Sequence, residues 1–375
     1  MKEFPARGGQ RLSLSLEILD RDRYGRPAQF KDFAERVIYA LSAGAGRIDF
    51  PLPFAPGGDA SQTLKQPREI LMAMRTLIAT VGGATFKGKL PIADGVEAFL
   101  FDRDGRGIVA LWGKGDVNGQ KTLAINLGQQ PLRVDLWGNV TALLRTPGNK
   151  APSDVQLTVG PMPIFLIDID GPQAQLRASV AIDQPSLESS FQSHVRRIRF
   201  VNPYKNLLSG VVKLKAPRGW TLNPPTFVFS LNPGDTFDQA MTISFPYNAI
   251  AGPKPLDCYF TLQGLGNNNN FTVPLTMTLG LSDVGMQSIA IRDGRDVIVQ
   301  QMISNYGEKP IDYTAFVLFP GQARQERLIS NLGPGNTVIK RYRFKDVNVA
   351  AKTKVRVGVK ELVGVRVLNE EVEIQ

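Results

Sequence analysis

The sequence predicts a mainly β protein: a short α/β segment over residues 1–90, then three consecutive β-sandwiches over 91–171, 172–282 and 283–375. Three observations predict it. Apolar residues recur at three- and four-residue steps before Leu90 and at every second residue beyond it. Turn residues punctuate the later sequence about every eight to twelve positions. A set of motifs in the second sandwich returns about one hundred residues later, the size of one immunoglobulin-like sandwich.

The first segment carries two amphipathic patterns. From Ala28 to Leu41 the apolar residues Phe30, Phe33, Ala34, Val37, Ile38 and Leu41 lie on one helical face, and Gly44 stops the run. After Pro67 a second pattern, Ile70, Leu71, Met74, Leu77, Ile78 and Val81, stops at Gly82-Gly83. Between them Gly46 to Leu52 reads as a strand. Helix, strand, loop, helix is a piece of an α/β layer and does not close a core by itself.

Beyond Leu90, Val96 to Phe101 and Ile108 to Trp112 flank Asp102-Arg103-Asp104-Gly105 as a hairpin with an Asp-Gly turn. Further strands are expected at Lys121–Asn126, Leu132–Leu136, Val140–Leu144, Val155–Val159 and Ile164–Ile169, with no helix after residue 90. The repeat then begins. Asn202, a strand ending at Ala216-Pro217, and Ser230-Leu231-Asn232-Pro233-Gly234-Asp235-Thr236 are echoed by Asn305, a strand ending at Phe319-Pro320, and Asn331-Leu332-Gly333-Pro334-Gly335-Asn336-Thr337. The two copies divide near Ser282-Asp283.

A net charge of +10 raises a nucleic-acid surface, but the basic residues are dispersed. The densest runs, Arg196-Arg197-Ile198-Arg199 and Lys340 to Lys345, alternate with apolar residues like the wet face of a strand, so no nucleic acid is expected. No stretch approaches the ~20 apolar residues of a membrane span, and Met1-Lys2-Glu3-Phe4-Pro5 has no apolar leader core. One cysteine, Cys258, cannot form an intramolecular disulfide and reads as a buried small hydrophobe. No cofactor and no metal site is expected. His194 has no nucleophile beside it. Asp102/Asp104 are turn residues, and Asp168/Asp170 read as two carboxylates on one face of a strand.

Several strings resemble a known family. Tyr39-Ala40-Leu41-Ser42-Ala43-Gly44-Ala45-Gly46-Arg47-Ile48, Met72 to Ala84, Gly88-Lys89-Leu90-Pro91 and Val109-Ala110-Leu111-Trp112 together resemble the end of the TIM barrel in bacterial-type, clan-A retaining glycoside hydrolases, where a β-sandwich packs on the barrel. Asn202, Pro217-Arg218-Gly219-Trp220 and Pro233-Gly234-Asp235 resemble the immunoglobulin-like domain attached to α-galactosidases and other carbohydrate-binding enzymes. The third sandwich keeps the Pro-Gly turn but has no Gly-Trp after Pro320.

The resemblance implies that residues 1–90 are the last βα elements of an incomplete barrel and that the chain is a non-catalytic accessory region with a carbohydrate ligand. It also implies an extracytoplasmic location. A retaining glycosidase needs two carboxyl groups about 5–5.5 Å apart at the barrel rim. The resemblance carries the nucleophile onto Glu3, with Glu17 as second option, and gives the acid/base no counterpart. Trp137, in Asp135-Leu136-Trp137-Gly138-Asn139, is the tryptophan expected to meet sugar; Trp112 and Trp220 are expected in cores. Phe33, Val37, Leu71, Met74 and Leu77 would need cover, which implies a barrel partner or self-association through residues 28–83. Two other readings stay open: an immunoglobulin-like surface or adhesion protein, and a glycosidase completed by a separately encoded barrel.

Overall fold

A computed structural model describes residues 12–51, 54, 67–114, 119–128, 131–144, 155–264 and 270–375. The first elements are β1 (Leu12–Ser15), α1 (Arg21–Tyr24), α2 (Arg26–Ser42), β2 (Ala45–Asp49) and α3 (Ile70–Val81). Pro27 sits in the first turn of α2, where its missing N–H costs nothing, and Gly44 (φ 84°) ends it. β1 and β2 pair in parallel, Leu14 beside Ile48 and Ser15 beside Asp49, with α2 as the crossover.

The next strands are β3 (Thr85–Lys89), β4 (Val96–Arg103), β5 (Arg106–Gly113), β6 (Lys121–Ile125), β7 (Leu132–Val134), β8 (Val140–Ala142), β9 (Val155–Val159) and β10 (Ile164–Ile169). They form a sheet in the order β3-β4-β5-β10-β7-β8, and β6 pairs with β9. Phe99, Phe101, Ile108, Trp112 and Phe165 face α2 and α3, while Leu100, Val109, Leu111 and Leu166 face the β6–β9 ribbon. Both faces of β4 and β5 are covered, so these strands read as continuous apolar runs instead of an alternation. The sheet begins at β3, ahead of the expected boundary at residue 90.

This packing corrects one expectation. Of the five residues expected to need cover, Phe33, Val37, Met74 and Leu77 are already buried in the core shared with the six-stranded sheet, with exposures of 1%, 7%, 2% and 3%, and Leu71 is half-buried. Among the described residues of 28–83 the exposed large apolar side chains are instead Phe54, Met72 and Ile78, at 36%, 42% and 63%.

A second correction is α4 (Gly171–Ser179), a helix in a region expected to hold none. Asp170 is its N-cap, accepting a hydrogen bond from Gln173 N at 2.9 Å. Asp168 has φ 56° beside a register shift in β10, so Asp168 and Asp170 do not share a strand face as expected. One capping carboxylate and one in a bulge replace the paired arrangement.

The second sandwich contains β11 (Ala181–Ile182), β12 (Ser186–Glu188), β13 (His194–Val201), β14 (Leu208–Lys215), β15 (Thr221–Asn223), β16 (Thr226–Leu231), β17 (Thr236–Ser244), β18 (Gly252–Gln263) and β19 (Asn270–Gly280). Its sheets run β11-β13-β17-β15 and β12-β19-β18-β14-β16. The third contains β20 (Val284–Asp293), β21 (Asp296–Asn305), β22 (Ile311–Leu318), β23 (Gln325–Leu332), β24 (Thr337–Phe344), β25 (Lys354–Glu361) and β26 (Val367–Glu373), in sheets β20-β21-β24 and β23-β22-β25-β26. The chain is therefore mainly β, as its patterning predicts.

The repeated asparagines explain the repeat. Asn202 Nδ2 donates to the carbonyls of Asn206 and Leu231, and its Oδ1 accepts from Tyr204 N. Asn305 Nδ2 donates to Lys309 and Leu332, and its Oδ1 accepts from Gly307 N. In both copies the asparagine carbonyl accepts from the glycine of the Pro-Gly turn, Gly234 or Gly335. Each side chain satisfies three backbone groups that would otherwise be buried unpaired at a strand end.

The sandwiches are joined by backbone. Phe191 N donates to Val365 O, Val367 N to Ser189 O and Ala251 N to Asn369 O. Arg366 adds ion pairs to Asp283 (2.7 Å), Glu361 (3.0 Å) and Glu188 (3.7 Å). Between the first and second sandwiches, Arg177 of α4 donates to Asn126 O and Thr272 O.

Candidate functional site

Trp137 is held by its own turn. Asp135 Oδ1 accepts from Trp137 N (2.9 Å) and Asn139 N (3.0 Å), and its Oδ2 accepts from Asn139 Nδ2. Gly138 takes φ 84°, which a side chain disfavours, and Leu136 anchors the turn from the core. The indole stacks on Phe30 of α2 at 5.5 Å with a 13° interplanar angle, and the Arg26 guanidinium lies 5.9 Å from its centroid. It keeps 36% exposure. Beside it runs a groove of about 410 Å³ between α3 and the β7–β8 hairpin, lined in part by Met72, Arg75, Thr76, Gly138 and Val140.

The other tryptophans sit in cores. Trp112 is 3% exposed and stacks on Phe99 at 5.3 Å; Trp220 packs at the margin of the second core against Phe245 at 4.8 Å.

Glu3 lies outside the described residues. Glu17 is exposed two residues beyond β1, and Asp49 closes β2 with Arg47 Nε 2.9 Å from its Oδ1. These carboxylates are at the C-terminal ends of the two parallel strands, the end where open α/β sheets collect ligands. An apolar cleft of about 270 Å³, lined in part by Phe33, Leu41, Ile48, Phe50, Leu77 and Ile78, opens between α2, β2 and α3.

Sequence reasoning missed a buried carboxylate in this region. Glu97, on the helix-facing side of β4, is 8% exposed and ion-paired with Lys89 at 3.3 Å and with Lys114. Burial pushes its carboxyl up, but the two ammonium groups outweigh that and hold it below the usual carboxylate range. Glu35 of α2, half-buried nearby, is pushed up by burial. A lone Glu inside an apolar strand, with Lys at the ends of both neighbours, was the available signal.

The remaining reactive residues have structural roles. Cys258 is fully buried and its thiol is pushed up to about 12 by burial, which suppresses the thiolate. The His194 ring stacks on Phe245 at 5.4 Å, and burial together with Arg196 holds it below its ordinary value. Arg197 and Arg199 pair with Asp238 across the sheet while Ile198 is buried. Among the described residues no group of three or more His, Cys, Asp or Glu is placed to hold a metal, and no helix is long and apolar enough to cross a membrane.

Comparison with known proteins gives one match to a family model, described as NPCBM-associated, NEW3 domain of alpha-galactosidase, over residues 203–263 of the second sandwich. No curated protein matches. Among solved structures, the YadV chaperone is 11% identical, with 52% of this chain and 99% of that chain covered and a TM-score of 0.21. A protein of unknown function from Porphyromonas gingivalis W83 is 15% identical, covering 52% and 99% with a TM-score of 0.23. An Anoxybacillus alpha-amylase is 11% identical, covering 42% and 38% with a TM-score of 0.28. At these scores the structural likenesses carry no argument.

Proposed function

We propose that this chain is the accessory region of a carbohydrate-active glycoside hydrolase: three sandwiches, divided near Gly171 and Ser282, that support a barrel and contact carbohydrate. The observation that carries the reading is β1-α2-β2 followed by α3. Parallel strands occur almost only in sheets covered on both faces, and two strands alone are marginal. Here α2 and α3 cover one side of the pair, and Ser13, Ser15, Arg47 and Asp49 remain exposed. Such a pair is the expected edge of a larger parallel sheet whose further strands would dock on β1. The match over residues 203–263 supports the same reading.

The partner surface is then the free side of β1–β2 together with Ile78, not the helix faces named from sequence. A completed barrel would bring Glu17 or Asp49 into a rim site; alone, the chain lacks the second half of that site and is expected to leave aryl glycosides intact. Hydrogen exchange on the full chain, run with sedimentation at several concentrations, tests the proposal. Amides of β1 and β2 should exchange much faster than those of β4 and β5 in the dilute monomer and slow on association. Equal protection in a strict monomer, or turnover of aryl glycosides by the chain alone, would overturn it.

A further inference from the structure

We propose that the groove between α3 and the β7–β8 hairpin binds a uronic-acid sugar, with Trp137 as its contact ring and Arg75 as the counter-charge to the carboxylate. The inference rests on the carbohydrate reading above and adds the class of sugar and its binding residues. At about 410 Å³ the groove falls within the ~300–1,000 Å³ of small-ligand sites.

Its chemistry is one-signed. Arg75 is exposed in the middle of α3, and among the described residues no ion pair or side-chain hydrogen bond engages it. Among the described residues of the lining it is the one charged side chain, and none is Asp or Glu. Two further guanidinium groups flank the groove, and both are already held: Arg103 donates to Ala79 O at 2.6 Å, and Arg26 pairs with Glu69 at 3.2 Å while lying 5.9 Å from the indole. Arg75 therefore gives the groove one positive charge, and its planar fork is free to take a carboxylate in two parallel hydrogen bonds.

The apolar features suit the rest of a sugar ring. Trp137 is set by the Asp135 turn and by stacking on Phe30, so no rotamer needs to be frozen when a pyranose C–H face meets it. Met72 and Val140, 42% and 58% exposed, form walls that a charged peptide or a bare phosphate would leave unused. Gly138 keeps the floor open: a Cβ there would stand 3.3 Å from Thr76 Oγ1.

The full chain should be titrated with trigalacturonate and with the neutral galactose trimer by calorimetry, with tryptophan emission followed in parallel. The acidic trimer is expected to bind at least about 10-fold tighter at low salt and to weaken as salt screens the pair. Arg75→Glu, on an exposed helix position, should cost the acidic trimer at least about 10-fold and erase its preference over the neutral trimer. Trp137→Phe, which preserves a ring on Phe30, should remove the emission change. Equal affinity for the two trimers, or an unaltered Arg75→Glu, would overturn the uronate assignment while leaving carbohydrate binding standing. Binding of neither trimer would remove both.

Discussion

The second and third sandwiches share a frame and differ in what fills it. Asn202 and Asn305 make corresponding hydrogen bonds, yet the enclosed cores are unlike. Two residues past Leu208, Gly210 stands opposite Phe229; two residues past Ile311, Tyr313 stands opposite Ile329. A small-large pair in one copy is a large-medium pair in the other. The second core is built on phenylalanines, with Phe200 on Phe237 at 4.6 Å and Phe260 on Phe271 at 5.1 Å. The third is built on valines with two buried tyrosines, Tyr313 and Tyr342, whose hydroxyls have no partner among the described residues. Backbone satisfaction tolerates little variation, because each unmet group costs about 1–3 kcal/mol. Core volume can be redistributed across facing strands so long as the total is kept.

The two sandwiches should respond most strongly to substitution at their closely packed glycines. A Cβ on Gly210 would stand 2.4 Å from Thr261 O, and one on Gly358 would stand 2.4 Å from Phe316 Cζ and 2.5 Å from Leu368 O. Gly210→Ala and Gly358→Ala should each destabilise their own sandwich by about 3 kcal/mol in urea unfolding. A cost below about 1 kcal/mol at either would show that volume is not the constraint there. The frame is tested next: Asn202→Ala and Asn305→Ala should each cost about 2 kcal/mol, with similar values in the two sandwiches. Unequal costs, read by hydrogen exchange at β17 and β24, would mean that the shared bonds are not equivalent. The smallest effect sharpens the difference in filling. Tyr313→Phe and Tyr342→Phe remove buried, unpartnered hydroxyls, so each should be neutral or stabilising by up to about 1 kcal/mol by the same assay.

The frame was more legible in the sequence than the filling, and the reason is physical. Phe30 to Leu41 and Ile70 to Val81 announce α2 and α3 because long helices repeat their apolar face several times. The Asp-Gly hairpin was also plain: Asp104 and Gly105 take φ 54° and 80°, as a tight two-residue turn requires. Helix α4 was hidden because nine residues give little more than two turns, and Gly171-Pro172 at its start reads equally well as a loop. The fate of Phe33 and Met74 was hidden for another reason. An amphipathic face shows that something will cover it, and the covering sheet comes from strands far along the chain. Trp137 is legible as an exposed ring, but its neighbours Phe30 and Arg75 come from helices distant in sequence, so the groove cannot be read locally.

The bonds from Phe191 to Val365, from Val367 to Ser189 and from Ala251 to Asn369 make the junction of the two repeats a seam of backbone, not a hinge. Tension applied along the chain would load several peptide hydrogen bonds at once before it could stretch any linker, so the pair should yield as one mechanical block. A spacer of that kind keeps whatever lies at its far end at a fixed bearing, which a string of loosely tethered beads cannot do.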